Sequence, residues 1–245
     1  MIDKLLASQG EDRILLLSGG PESHLAKRNM FAKDMKMRLV ITQPKIEPQE
    51  NHSPLNGETI VSTAKTPMEG TIQIKTEQGW QMTKIVNAMT LESMLRTLKP
   101  HTPNGAVWAG ALSYDLVQWT QPIKLQYPPT EGEILAILWL VEEWEMEAVI
   151  IPELSEPIRV EGEVSSHSDE EHAEIVHRIK NSITAGELYQ LNFGRAWQGP
   201  LQEDPAMIFH RLATNNPAPF SGYIEAADLG LALASSSPEI LVETV

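Results

Sequence analysis

No cysteine occurs in the 245 residues. Disulfides, thiolate metal sites and a cysteine nucleophile are therefore excluded within this chain. Positive charge is scarce: 19 lysines and arginines face 33 acidic residues, a formal net charge of -14. Such a surface repels phosphate backbones and anionic membranes, so nucleic acid is not an expected partner. An anionic small substrate would need a pocket with its own cations. Long apolar runs are also missing. The longest, "ILAILWLV" at residues 134–141, falls far short of the roughly 20 residues that span a bilayer. The opening "MIDKLLASQGEDR" is broken by charges before any signal-peptide core can form. These absences lead to the expectation of a soluble, cytoplasmic protein. No internal repeat is visible. What remains is a chain 42% hydrophobic, enough to bury a core as one large domain or two small ones.

Strand and helix signals alternate irregularly along it. "RILLLSGG" reads as a buried strand over 13–17 delivered into a Ser-Gly-Gly-Pro turn, and "MRLVITQ" as a second strand. The proline-bearing stretch "QPKIEPQENHSPLNGE" reads as a surface loop. Leu91, Met94, Leu95 and Leu98 have the spacing of one buried helical face. "GAVWAGALSYDL" reads as a core strand turning near Ser113, Tyr114 and Asp115, and "EILAILWLVEEWEMEAVII" as two strands joined near Glu142 and Glu143. A boundary is expected near residues 155–167, dividing a domain over 1–160 from a second over 168–245. Ser168 and Glu171 form a capping-box pattern; Val176, Ile179 and Ile183 are the expected buried face, with Gly186 as the stop. "ELYQLNFGRAW" alternates as a strand would, with Tyr189, Leu191, Phe193 and Trp197 on one face and Gln190 and Asn192 on the other. Asp204 and Pro205 start a further helix with Ile208 and Leu212 as its apolar stripe, and "NNPAPFSGYIE" and "LALA" read as a strand and its return. Strands outnumber helices without a βαβ rhythm, so the expected class is α+β with largely antiparallel sheets.

Several clusters invite chemistry, each with a plainer alternative. His167, His172 and His177 crowd one helix start, but spacings of five place them on different faces, whereas ligating pairs sit four apart. They are expected to face solvent. "LSGGP" has the glycines of an anion nest but not the Gly-Lys-Ser/Thr of a nucleotide loop, so a tight turn explains it as well. Gln190 and Asn192 either line a cavity or lie on a solvated face. Glu239 in "SSSPE" is either a functional carboxylate or a surface acid in a strand-joining turn.

"ITAGELYQLNFGRAW", "NNPAPFSGYIE" and "LALASSSPEIL", in that order, resemble the chorismate-utilising enzymes, a family that includes the first components of anthranilate synthase and aminodeoxychorismate synthase. "ILLLSGGPESHLAKRNMFA" and "GAVWAGALSYDL" are similar to the family's opening strand and its glycine-rich strand. "YQLN" and "LSGGP" look like the aminodeoxychorismate branch. The resemblance implies two closely packed parts whose antiparallel sheets form a sandwich, with chorismate bound between sheet and helices. It places Glu239 on the family's active-site glutamate. Ser18, Leu25, Ala26, Lys27, Arg28, Pro219, Phe220 and Ser221 fall on positions that in some relatives enclose tryptophan, although Arg28 stands where an aromatic is often found.

The resemblance further implies Mg²⁺ on the substrate carboxylate, a lysine that adds to the ring, and a cysteine-dependent glutamine amidotransferase that supplies ammonia. Lacking cysteine, this chain would need that glutaminase as a separate subunit. The family's Pro-Ile-Lys-Gly-Thr segment and later acidic metal ligands do not occur here, so the resemblance leads one to expect a fragment whose chorismate-binding part lacks its C-terminal half. A tryptophan-binding or regulatory module without catalysis is the alternative from another class.

Overall fold

The eight-residue run Ile134–Val141 has no charged side chain, and as strand β7 it is buried at every position after the first. A strand so apolar needs cover on both faces, and the architecture supplies it. The computed structural model describes residues 1–19, 28–45, 66–121, 125, 127–148 and 163–240. One sheet, here called the second because β1 lies in the other, holds β3 (Met37–Thr42), β4 (Met68–Thr76), β5 (Gly79–Ala88), β6 (Val107–Leu112) and β7 in the order β5-β4-β3-β7-β6. The other holds β1 (Arg13–Leu17), β2 (Asn29–Lys33), β8 (Glu143–Glu147), β11 (Phe220–Ala226) and β12 (Leu231–Ser237) in the order β12-β11-β1-β2-β8. Every pairing in both is antiparallel. The class is α+β, as expected.

Side-chain alternation along β7 sorts the core into layers. Leu138 joins Leu39, Met68 and Ile72 beneath helix α2 (Leu91–Arg96), where Met94 and Leu98 are buried as the 3–4 spacing predicts. Ile137, Trp139 and Val141 point the other way and meet Ile14, Ala32 and Ala226 of the other sheet. That sheet's far face, through Leu15 and Tyr223, packs on Leu5 of α1 (Ile2–Ala7) and on Ala206, Phe209 and Ala213 of α4 (Pro205–Asn215). The two strands joined near Glu142 are present, but they do not form a hairpin: β7 lies in one sheet and β8 in the other. Among the described residues no helix is long and apolar enough to cross a membrane.

The structure corrects several expectations. Helix α3 (Asp169–Thr184) starts at the capping box of Ser168 and Glu171, and Gly186 past its end has a positive φ of 76°. Its face of Val176, Ile179 and Ile183 is not fully buried among the described residues: the first two are half-buried and Ile183 is 39% exposed. The alternating run from Tyr189 to Trp197 is not a strand. Only β10 (Trp197–Gln198) pairs, with β9 (Val164–Ser165). Alternation creates two faces, but a strand needs a ladder partner, and residues 188–195 have none among the described residues. His167 and His172 are not free in solvent but half-buried, each with its ring 5.4 Å from that of Phe193. In α4 the buried stripe is Ala206, Phe209 and Ala213, one position on from Ile208 and Leu212, which are half-buried. β6 is an edge strand, with Val107 and Leu112 about half exposed. The expected domain boundary and the proline-rich loop fall mostly outside the described residues.

Candidate functional site

Antiparallel pairing of β1 with β11 places Leu17 opposite Ser221, so the end of one strand and the start of the other converge. The Gly19 N–H donates to Ala218 O at 2.8 Å. A Cβ on Gly19 would lie 3.2 Å from Pro217 Cβ, so the two segments approach more closely there than a larger residue would comfortably allow. Above this junction sits α4. Asp204 caps it by accepting the Ala206 N–H at 2.8 Å, Pro205 takes the first position, and Phe209 packs tilted on Tyr223 with ring centroids 5.5 Å apart. That seating turns His210 and Thr214, four apart on one face, over the strand ends.

Between them lies a cavity of about 230 Å³ with Ser18, Asn29, Glu147, His210, Thr214 and Ser221 among its walls and Leu17, Ile2 and Ala213 as apolar surface. Most of its polar groups are committed. Ser221 Oγ donates to Ala218 O at 3.1 Å, Asn29 Oδ1 accepts the Ser18 N–H at 3.1 Å, and Thr214 Oγ1 donates to His210 O at 2.7 Å. Glu147 accepts the Met1 ammonium at 3.1 Å, and that hydrogen bond is the main reason its carboxyl titrates below the ordinary value. His210 Nδ1 is buried and has no hydrogen-bond partner among the described residues, and the residue lines the cavity.

Behind the cavity Arg13, buried at the start of β1, donates from Nε to Glu225 at 2.7 Å and from Nη1 to Leu5 O at 2.5 Å. Tyr223 donates to Glu225 at 2.6 Å. Burial first, and that bond second, push the phenol well above its ordinary value, so it remains a donor.

The residues singled out in the sequence separate into three groups. Ser18 and Ser221 share the cavity. Pro219 and Phe220 are half-buried beside it and Arg28 is exposed, while Leu25, Ala26 and Lys27 lie outside the described residues. Glu239 is exposed just beyond β12; its backbone N–H donates to Ser237 Oγ at 3.4 Å, and Ser237 Oγ donates to Glu239 O at 2.9 Å. Gln190 and Asn192 are exposed, and no hydrogen bond among the described residues joins them to Glu239 or to Pro219–Ser221. Their cavity-lining reading is thereby corrected, for the reason that removes their strand. The described residues include no cluster of three His, Cys, Asp or Glu side chains able to hold a metal ion. His210, Asn29 and Thr214 escaped the sequence reading. The four-residue step from His210 to Thr214 beside the buried Phe209 and Ala213 was the one available signal.

Residues 146–245 match the family described as chorismate binding enzyme. The chain is 35% identical over 74 residues to the anthranilate synthase alpha subunit 1, chloroplastic, of Arabidopsis thaliana, covering 30% of this chain and 12% of that protein. It is 32% identical over 79 residues to aminodeoxychorismate synthase component 1 of Streptomyces lividans, covering 32% and 16%. With anthranilate synthase component 1 1 of Haloarcula marismortui it shares 33% over 94 residues, covering 37% and 19%. The matched stretch thus spans less than a fifth of each of these relatives. The resemblance read from the three C-terminal motifs is borne out.

Proposed function

We propose that this chain serves a chorismate-utilising enzyme of the aminodeoxychorismate type, in which chorismate and ammonia give 4-amino-4-deoxychorismate on the way to para-aminobenzoate and folate. The match of residues 146–245 to chorismate binding enzymes carries the reading. "YQLN" and "LSGGP" support the branch. In the reaction the C4–O bond of chorismate breaks and a C4–N bond forms. Hydroxide leaves poorly, so an acid must hand it a proton as it departs. Glu239 is the residue proposed for that role, which is worth about 10²- to 10⁴-fold when the acid is well placed.

Mg²⁺ is the metal proposed for the active enzyme, where it would neutralise the substrate carboxylate. Ammonia would come from a separate glutamine amidotransferase subunit in the cytoplasm, since this chain has no cysteine for that chemistry. The cavity at Ser18 and Ser221 is proposed as the tryptophan-type pocket. Its mixed apolar and polar walls suit a small ligand with an apolar body and polar groups.

Product analysis of an active enzyme containing this chain, supplied with chorismate and ammonia, tests the assignment. Aminodeoxychorismate supports it; anthranilate establishes the second reading, which the relatives named anthranilate synthase favour. Calorimetric titration of the chain with chorismate and with tryptophan separates both from a binding module. Tryptophan binding without turnover in the assembled enzyme would replace the catalytic reading.

A further inference from the structure

The two sheets meet mainly through apolar side chains, yet one guanidinium lies between them. Arg38 of β3 is 1% exposed. From Nη1 it donates to Asp12 Oδ2 at 3.1 Å and to Asp228 Oδ1 at 2.7 Å, and from Nη2 to Asp228 Oδ2 at 2.5 Å. Nε donates to Gln73 Oε1 at 2.7 Å, and the guanidinium carbon stands 4.3 Å from the centre of the Trp80 ring. Asp12 precedes β1, and Asp228 sits in the turn Ala227–Leu229 that joins β11 to β12. Asp12 also accepts the Ala227 N–H at 3.1 Å and the Trp139 indole N–H at 2.7 Å. Two carboxylates of one sheet thus hold a single cation of the other, at the closed end of the β11–β12 hairpin.

We infer that Arg38 is a clasp fastening the closed end of the β11–β12 hairpin to the opposite sheet, and that releasing it loosens that end while the second sheet stays closed. Three observations carry this. First, residues 228–230 of the turn that joins the two strands are exposed, so the turn is held chiefly by the clasp and by the Ala227 N–H bond to Asp12. Second, the bidentate half of the clasp is its outer half: Asp228 is 41% exposed, whereas Asp12 is 3% exposed and remains pinned by Trp139 and Ala227 if Asp228 lets go. Third, loss of Asp228 leaves Arg38 with Asp12 as counter-ion, so the second sheet does not acquire an unpaired buried charge. The hairpin carries Ser221 at its start and leads into Glu239 at its end. Both lie at the open end, away from the clasp.

Hydrogen exchange on the full chain and on Asp228→Asn tests the clasp. Amides at the closed end of the β11–β12 ladder are expected to lose about tenfold or more of their protection, while Leu39, Ile41, Ile137 and Trp139 in the second sheet change less than about threefold, the pattern of a local opening. Arg38→Gln should produce the same hairpin loss with a larger effect on the second sheet, and Arg96→Gln, which breaks an exposed pair with Glu92, should produce neither. Equal losses in both sheets, an unchanged hairpin, or failure of Asp228→Asn to fold would each overturn the inference.

Discussion

Glu239 leaves the end of β12 with its backbone tied to Ser237 and its carboxylate without a partner among the described residues. A structural acid would be expected to have a partner; a proton donor needs exposure to substrate. In an active enzyme containing this chain, Glu239→Gln should lower turnover at least about 100-fold with the midpoint of thermal unfolding unchanged. Near-normal turnover would return Glu239 to the role of a surface acid. Two other carboxyls give opposite pH dependences. Burial raises Asp12 above its ordinary value of 3.8, against the lowering effects of the Trp139 bond and the Arg38 charge. The folded state then binds that proton more tightly than the unfolded chain, so the Asp12 share of stability falls as pH rises from 3.8 through the raised value. Glu147, lowered chiefly by its bond from the Met1 ammonium, adds stability above its ordinary 4.5 and loses it as pH falls through the lowered value. Urea unfolding across this range should show Asp12→Asn removing a decline with rising pH and Glu147→Gln removing a loss on acidification.

Elements differ in how much tertiary structure they rest on. α3 is held by its own capping box and by Arg195, which donates to Asp169 at 2.6 Å and to Ser165 at 2.7 Å. α4 is held by burial. Ile183→Asp in α3 should therefore change the unfolding free energy by less than about 1 kcal/mol, whereas Phe209→Ala in α4 should cost about 3 to 5 kcal/mol. Comparable losses at both positions in denaturant titrations would mean that something covers α3 in solution. β6 presents a different limit. A Cβ at Gly110 would lie 1.9 Å from the Ile137 carbonyl oxygen, a backbone atom that cannot turn aside as a flexible side chain could. Gly110→Ala should thus break the β6–β7 ladder, read as lost protection at Val107–Leu112.

At the scale of the whole molecule, the sheets differ in the sequence distances they span. All five strands of the second sheet come from residues 37–141, whereas the first joins residues 13–33 and 143–147 to residues 220–237. Loop closure over about 200 residues must precede the β1–β11 pairing, an entropic cost with no local reward. A chain shortened to residues 1–148 should keep exchange protection in β3, β4 and β7 and lose it in β1. Protection of Ile14 and Leu15 in that chain would show that β11 is dispensable to its sheet.

Local chemistry made much of this legible from the residues alone. The Ser168–Glu171 box, the Asp204–Pro205 start, the Gly186 stop and the spacing of Leu91, Met94 and Leu98 each need only near neighbours, and each is where the pattern puts it. The C-terminal motifs likewise sufficed for the family match. Partnership was not legible, because it depends on what a segment meets. The alternation from Tyr189 to Trp197 implied a strand, but residues 189–195 meet no ladder among the described residues, and Tyr189 is 96% exposed. β7 and β8, separated by one residue, parted into different sheets. Ser18 and Ser221, 203 positions apart, became cavity neighbours through the β1–β11 register, and His210 joined them because α4 buries Phe209 rather than Ile208. Sequence determined the local propensities and the chemical inventory; tertiary structure alone decided which faces found a partner, since burial is a property of pairs of surfaces rather than of either surface alone.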